Sequence, residues 1–125
     1  MYIKQIYTNC LSQASYYVES AGESIIIDPI RDSNLYLDLV KERNSNVKYI
    51  FETHFHADFV SGHLDLSKLL NANIVFGPGA DTKYNVINAL HEQYFEIGKI
   101  KIKVLHTPGH TPESSSFLLF DEEGN

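Results

Sequence analysis

At 125 residues the chain has the length of one domain around one hydrophobic core. Its composition, 43% hydrophobic and 21% charged, is that of an ordinary globular protein, and a net charge of −6 argues against a nucleic-acid partner, which calls for a basic face. The lone Cys10 excludes an intrachain disulfide framework and fits a reducing cytoplasm, the start Met1-Tyr2-Ile3-Lys4-Gln5 lacks the apolar stretch of a secretory signal, and no run of about 20 apolar residues is present to span a membrane.

The first part of the chain reads as β-rich. Tyr2 to Tyr7 and Ala14 to Glu19 are short strand candidates, and Ala21-Gly22-Glu23 is a turn. Ser24-Ile25-Ile26-Ile27 is a continuous apolar strand, stopped at Asp28-Pro29. Ser33 or Asn34 is placed to cap a helix with apolar positions Leu35, Leu39 and Val40, ended by Asn44-Ser45-Asn46. Val47 to Phe51, rich in β-branched and aromatic residues, is the next strand. Gly62 to Leu70 reads as a helix with Leu64, Leu66, Leu69 and Leu70 as its apolar set. Asn71-Ala72-Asn73 breaks it, and Ile74-Val75-Phe76 is a strand before the Gly77-Pro78-Gly79 turn. Residues 80–93 carry no clear period. The apolar alternation from Lys99 to Leu105 is a strand, as is Ser116 to Phe120, and Asp121-Glu122-Glu123-Gly124-Asn125 is a hairpin-turn signal. Strands interleaved with helices predict an α/β or α+β layered sheet. A turn signal with no partner strand after it leads to the expectation that residues 1–125 are the N-terminal part of a longer product; alone, such an open sheet would leave apolar surface exposed and favour association.

The chemistry is concentrated after the strand at Val47–Phe51. In Thr53-His54-Phe55-His56-Ala57-Asp58 three metal-capable side chains sit at alternate positions. In extended backbone those positions project to one face, so two imidazoles and a carboxylate aim at one point. A second strand-to-loop junction, Thr107-Pro108-Gly109-His110-Thr111-Pro112, supplies another imidazole. Neutral imidazole with carboxylate suits zinc or non-haem iron. The other histidines read more plainly. His63 stands where a helix starts, His106 packs under the loop that follows it, and His91 is a surface residue. Asp28 is placed either to make a turn or to hydrogen-bond the histidine segment from inside. Cys10 reads as a small buried hydrophobe, and Tyr16, Tyr17, Tyr36, Tyr49, Tyr84 and Tyr94 as core and rim.

The stretches Thr53-His54-Phe55-His56-Ala57-Asp58-Phe59-Val60-Ser61-Gly62-His63 and His106-Thr107-Pro108-Gly109-His110-Thr111-Pro112-Glu113-Ser114 resemble the metal motifs of the metallo-β-lactamase superfamily. Within it they most resemble the persulfide dioxygenase branch, which includes bacterial members fused to rhodanese domains. Ile25-Ile26-Ile27-Asp28-Pro29-Ile30-Arg31-Asp32 is similar to that branch's third-strand signature. The resemblance runs the length of residues 1–125. It implies an αββα sandwich, of which this chain holds about the first half. It also implies one Fe(II) per chain, held by His56 and His110 with an aspartate that the family carries beyond residue 125. His54 is a ligand in many superfamily members, and for this branch the resemblance implies that it either joins His56 and His110 on the metal or sits beside it and steers a bound water or the substrate. Asp58 orients a ligand histidine or a water.

The reaction so implied oxidises a low-molecular-weight thiol persulfide, such as glutathione persulfide, with O₂ to sulfite and the parent thiol in the cytoplasm. A rhodanese domain downstream is consistent with the branch. Phe59 stands where many dinuclear hydrolases of the superfamily have histidine, which favours one metal over two. The alternatives are a glyoxalase II-like hydrolase in which Zn²⁺ activates water against a thioester, and a non-catalytic fragment that retains the motifs.

Overall fold

The computed structural model describes residues 1–8, 13–30, 32–53, 63–78, 86–107 and 115–125. Three antiparallel strands open the chain: β1 (Tyr2–Thr8), β2 (Gln13–Ser20) and β3 (Glu23–Ile27). Helix α1 (Ser33–Arg43) then crosses to β4 (Asn46–Glu52), and α2 (His63–Leu70) to β5 (Asn73–Phe76). The two-residue β6 (Ile87–Asn88) completes a sheet of order β1-β2-β3-β4-β5-β6, parallel from β3 onward. A second, antiparallel sheet contains β7 (Tyr94–Ile97), β8 (Ile100–His106) and β9 (Ser115–Phe120). Mixed sheets with few helices are the layered fold expected from the sequence. Among the described residues no helix is long and apolar enough to cross a membrane.

Two apolar clusters define the layers. Between the sheets, Val18, Ile25, Ile27, Phe51 and Val75 meet Phe95, Ile97, Ile100, Ile102 and Val104. On the other face of the first sheet, Tyr17, Ile26 and Ile50 pack with Tyr36 and Leu39 of α1 and Leu66 of α2. β3 is continuously apolar because both its faces are covered. A register shift opposite Ser24 and Ile25 pairs these residues with Val47 and Tyr49, skipping Lys48. Strict alternation would put Val47, Tyr49 and Phe51 on one face. The irregularity instead leaves Val47 with the helices and sends Tyr49 and Phe51 between the sheets.

Phe51 is the centre of that inter-sheet layer. Its ring meets those of Tyr49, Phe95 and Phe117 edge to face at 5.9, 5.4 and 5.0 Å. The far end of the sandwich is closed by the β7–β8 turn. Gly98, at φ +55°, donates to Glu23 Oε1 at 2.7 Å, and Lys99 N donates to Ser20 Oγ at 3.2 Å. A Cβ at residue 98 would overlap the Ser20 carbonyl, so only glycine fits that seat.

Several elements differ from the sequence reading. α1 is capped by Asp32 rather than by Ser33 or Asn34: Asp32 is extended, at φ −74° and ψ 94°, and its carboxylate accepts from Asn34 N. All three types cap well, and backbone conformation decides among them. The buried face of α1 is Tyr36 and Leu39, while Leu35 is exposed. Tyr36 displaces Leu35 because its hydroxyl finds buried partners: it donates to Ser15 Oγ at 2.8 Å and accepts from Ile30 N at 2.8 Å. Burial raises the Tyr36 pKa above the ordinary tyrosine value. In α2, Leu66 is buried but Leu69 is exposed. β7 was not predicted. Its alternation, with Phe95 and Ile97 inward and Tyr94 and Glu96 outward, is only four residues long.

Two outcomes follow from this packing. Phe51→Ala should cost about 3–5 kcal/mol in urea unfolding, because it removes the ring at the junction of both sheets, whereas Leu69→Ala on the exposed face should stay within about 0.5 kcal/mol. The second concerns Glu122. Its carboxylate accepts from the Met1 ammonium at 3.0 Å and from Ser20 Oγ at 2.8 Å, and its pKa is lowered from 4.5 to about 2, chiefly by the ammonium. A depressed carboxylate contributes stability that is complete above its unfolded value and lost as pH falls through the folded one. Unfolding midpoints of wild type should therefore decline between pH 4.5 and 2 more steeply than those of Glu122→Gln, and parallel curves would remove this pair from the acid response.

Candidate metal centre

In a parallel sheet the helix crossovers leave the carboxyl ends of the strands as one rim, the usual place for a ligand site. Here the rim carries Asp28 after β3, Glu52 and Thr53 at the end of β4, and Phe76 and Gly77 at the end of β5. β8 runs to the same end and finishes at His106, and β9 starts there at Ser115.

Asp28 organises the rim. It adopts φ +50°, a conformation that aspartate tolerates better than most residues, and its N–H donates to Phe51 O at 2.8 Å. Its two carboxylate oxygens then take separate donors on one residue. Oδ1 accepts from Thr53 N at 2.8 Å and Oδ2 from Thr53 Oγ1 at 2.7 Å. Asp28 is buried, so these charge-assisted bonds are poorly screened. The role of Asp28 as an internal partner of the histidine segment is thus met at the residue immediately before His54.

A third bond joins the two sheets at this point. Ser115 N donates to Thr53 O at 2.8 Å. Thr53 directly precedes the His-x-His-x-Asp segment, and Ser115 directly follows the segment that contains His110. The described ends of both motif segments are therefore held by one hydrogen-bonded unit, Asp28–Thr53–Ser115. Behind it, Ser15 Oγ donates to Ile27 O at 2.9 Å and Tyr36 ties Ser15 to Ile30 N, which fixes the chain on either side of Asp28. Glu52 is fully buried on the helix side of the same strand end. A cleft of about 270 Å³ opens beside the unit, bordered by Ile3, Tyr16, Phe117 and Leu119 with Asp28 and Thr53 at its polar end.

His54, His56, Asp58, Phe59 and His110 lie outside the described residues, as do Cys10 and the His63 side chain. Among the described residues no group of three or more His, Cys, Asp or Glu side chains could hold a metal ion. His106 ends β8, and its N–H donates to Nδ1 of His91, which is otherwise exposed as expected. Asp121 is occupied in its turn: Oδ1 accepts from Glu123 N at 3.0 Å and from Asn125 N at 2.9 Å. No motif or period in the sequence marks Thr53, Ser115 or the Tyr36–Ser15 pair. The signal for Thr53 was its place between a strand and the first histidine.

Comparison with known proteins adds a family. The model of the metallo-beta-lactamase superfamily matches residues 8–85. A hydroxyacylglutathione hydrolase of Pelagibacter ubique is 28% identical over 118 residues, covering 87% of this chain and 47% of that protein. One from Blochmanniella pennsylvanica is 37% identical over 98 residues, covering 77% and 38%. Among solved structures, a metallo-beta-lactamase from Staphylococcus aureus superposes with a TM-score of 0.88 at 45% identity, covering 98% of this chain and 39% of that one. ETHE1 from Myxococcus xanthus gives 0.87 at 28% identity, covering 95% and 54%. The chain thus spans about half or less of the length of these relatives.

The clamp has a testable weight. Asp28→Ala removes both acceptors and places alanine at a positive φ, and should cost about 2–4 kcal/mol in urea unfolding. Asp28→Asn keeps one acceptor and a side chain that tolerates this conformation, and should cost about half as much. If the clamp supports a metal site, zinc affinity of the alanine variant should fall by about tenfold or more.

Proposed function

The chain belongs to the metallo-beta-lactamase superfamily, whose members are metal-dependent enzymes, and on that premise we propose that it forms part of a persulfide dioxygenase. The observation that carries the reading is Phe59. A side chain with no donor atom follows Asp58 directly, where a second metal would draw on an imidazole. The likeness to ETHE1 over 95% of the chain supports the same branch. A second reading, hydrolysis of a thioester such as a hydroxyacylglutathione, is favoured by the curated relatives.

The donor set fits a resident metal. Two imidazoles and a carboxylate at alternate positions, with a third imidazole from another strand end, suit iron or zinc, and the Asp28–Thr53–Ser115 unit joins the ends of the two segments that carry them. His56 and His110 would hold the ion, with His54 beside it or bound to it. When bound, a single Fe(II) supplies the redox chemistry that combines persulfide sulfur with O₂. The residues of this chain do the rest. His54 steers a water or the persulfide by hydrogen bonding. Asp58 would orient a ligand histidine or a water through its carboxylate. Asp28 keeps Thr53, and with it the start of the segment, in one place. Overall, one persulfide, one O₂ and one water give sulfite and the parent thiol with release of protons. The carrier thiol is a small one, glutathione being an example. A rhodanese partner domain and a cytoplasmic setting belong to the same proposal.

The relatives are about twice as long, and the resemblance puts the third anionic ligand beyond residue 125. A site short of that carboxylate binds its ion with less charge neutralisation. After iron loading, residues 1–125 should therefore consume no O₂ with glutathione persulfide, while a protein extended to the relatives' length should do so with one iron per chain. Two zinc ions per chain with cleavage of a glutathione thioester would transfer the assignment to the hydrolase reading. Dioxygenase turnover by residues 1–125 alone would refute the need for a further ligand.

A further inference from the structure

The end of β8 nearest the second motif segment is completed by a side chain. Along the β7–β8 pair toward that end, Tyr94 stands opposite Lys103. Val104 N then donates to Gln93 O at 2.9 Å, and Glu92 N donates to Val104 O at 2.6 Å. There the partner chain turns away. Gln93 N returns to Leu90 O at 3.0 Å, Leu90 N donates to Gln93 Oε1 at 2.8 Å, and Glu92 sits at φ +67°. Amides of one strand edge recur at every second residue, so the next to face this side belongs to His106. Its acceptor is an imidazole, His91 Nδ1 at 3.0 Å.

A backbone N–H can only donate. Nδ1 of His91 must therefore carry its lone pair, and in the neutral ring the proton is on Nε2. Nε2 faces Glu92 Oε1 at 4.0 Å. The same carboxylate lies 3.8 Å from Lys103 Nζ, which sits 5.6 Å over the Tyr94 ring. Glu92, Lys103 and Tyr94 are the titratable groups that these contacts bring around His91 from its own turn, β7 and β8, beside His106. A proton on Nδ1 turns that acceptor into a donor and breaks this bond.

We propose that His91 is a positioning residue: its neutral Nε2–H form extends the β7–β8 ladder to His106 and so sets where the chain leaves β8 toward His110, and protonation releases that point. The hydrogen bond stands independently; its consequence for a metal rests on the reading of His110 given above. The ¹⁵N shifts of His91 should show an unprotonated Nδ1 at pH 8. As the His91 ring takes up a proton, exchange of the His106 amide should rise about tenfold beyond the intrinsic pH dependence. His91→Asn, whose Oδ1 can accept but does not titrate, should keep the slow exchange to pH 5, and His91→Phe should exchange fast throughout. Zinc titration should give wild-type affinity for the asparagine variant and weaker binding for the phenylalanine one. An Nδ1–H form at pH 8, or a His106 amide indifferent to the ring's titration, overturns the anchor. Unchanged zinc affinity in His91→Phe overturns the positioning role, and zinc binding that His110→Ala leaves intact refutes the metal-site reading while the anchor stands.

Discussion

The buried carboxylate of Asp28 ties the rim of this fold together. A parallel strand pair needs a crossover helix, and the two strands it joins have no direct covalent link at the end where the ligand site lies. Asp28 supplies a substitute for that link. It leaves β3 with a left-handed turn, returns its own N–H to β4 and grips Thr53 with both oxygens. Charge-assisted bonds of 2.7–2.8 Å in a buried setting tolerate little displacement. The crossover contributes as well. Tyr36 of α1 reaches back to Ser15 and Ile30, so the helix that makes the parallel pairing possible also fixes the turn in which Asp28 sits.

Thr53 gives this arrangement its reach into the second sheet. Its N–H and hydroxyl are taken by Asp28, and its carbonyl accepts from Ser115 of β9. One residue therefore bridges the end of β3 and the start of β9. The layer beneath it, where Phe51 meets Phe95 and Phe117, packs the same two sheets through apolar surface. Polar bonds join the two sheets at the rim, and the aromatic contacts behind them hold the same sheets together through apolar surface.

Much of this was legible in the chain itself. The apolar run at β3, the β-branched run at β4 and the alternation at β8 each reported a strand, because burial on one or both faces leaves a periodic mark. The histidine spacing reported metal chemistry, and the family match agrees with it. What was not legible had a physical reason in each case. Asp32, Ser33 and Asn34 cap helices about equally well, so the choice awaited the backbone. Tyr36 took the place of Leu35 in the core because its hydroxyl has partners from β2 and from the turn after β3, remote in sequence. The register shift at Lys48 reassigns the faces of β4, and nothing in its pattern announces that. β6 and β7 are too short to show a period.

Gly98 lies at the opposite end of the sandwich, yet it bears on the same rim. β3, β4 and β8 all run from its end of the molecule toward Asp28, Thr53 and His106. The close seat of Gly98 on the Ser20 carbonyl sets how near the two sheets approach at their base. The Thr53–Ser115 bond sets it at the top. A sandwich pinned at both ends behaves as a closed frame, in which tilt at one end becomes separation at the other. A side chain at position 98 would act as a wedge, and its lever arm is the length of β8. The spacing between the two strands that lead into the histidine segments is thus calibrated partly by the absence of a methyl group at the far end of the fold.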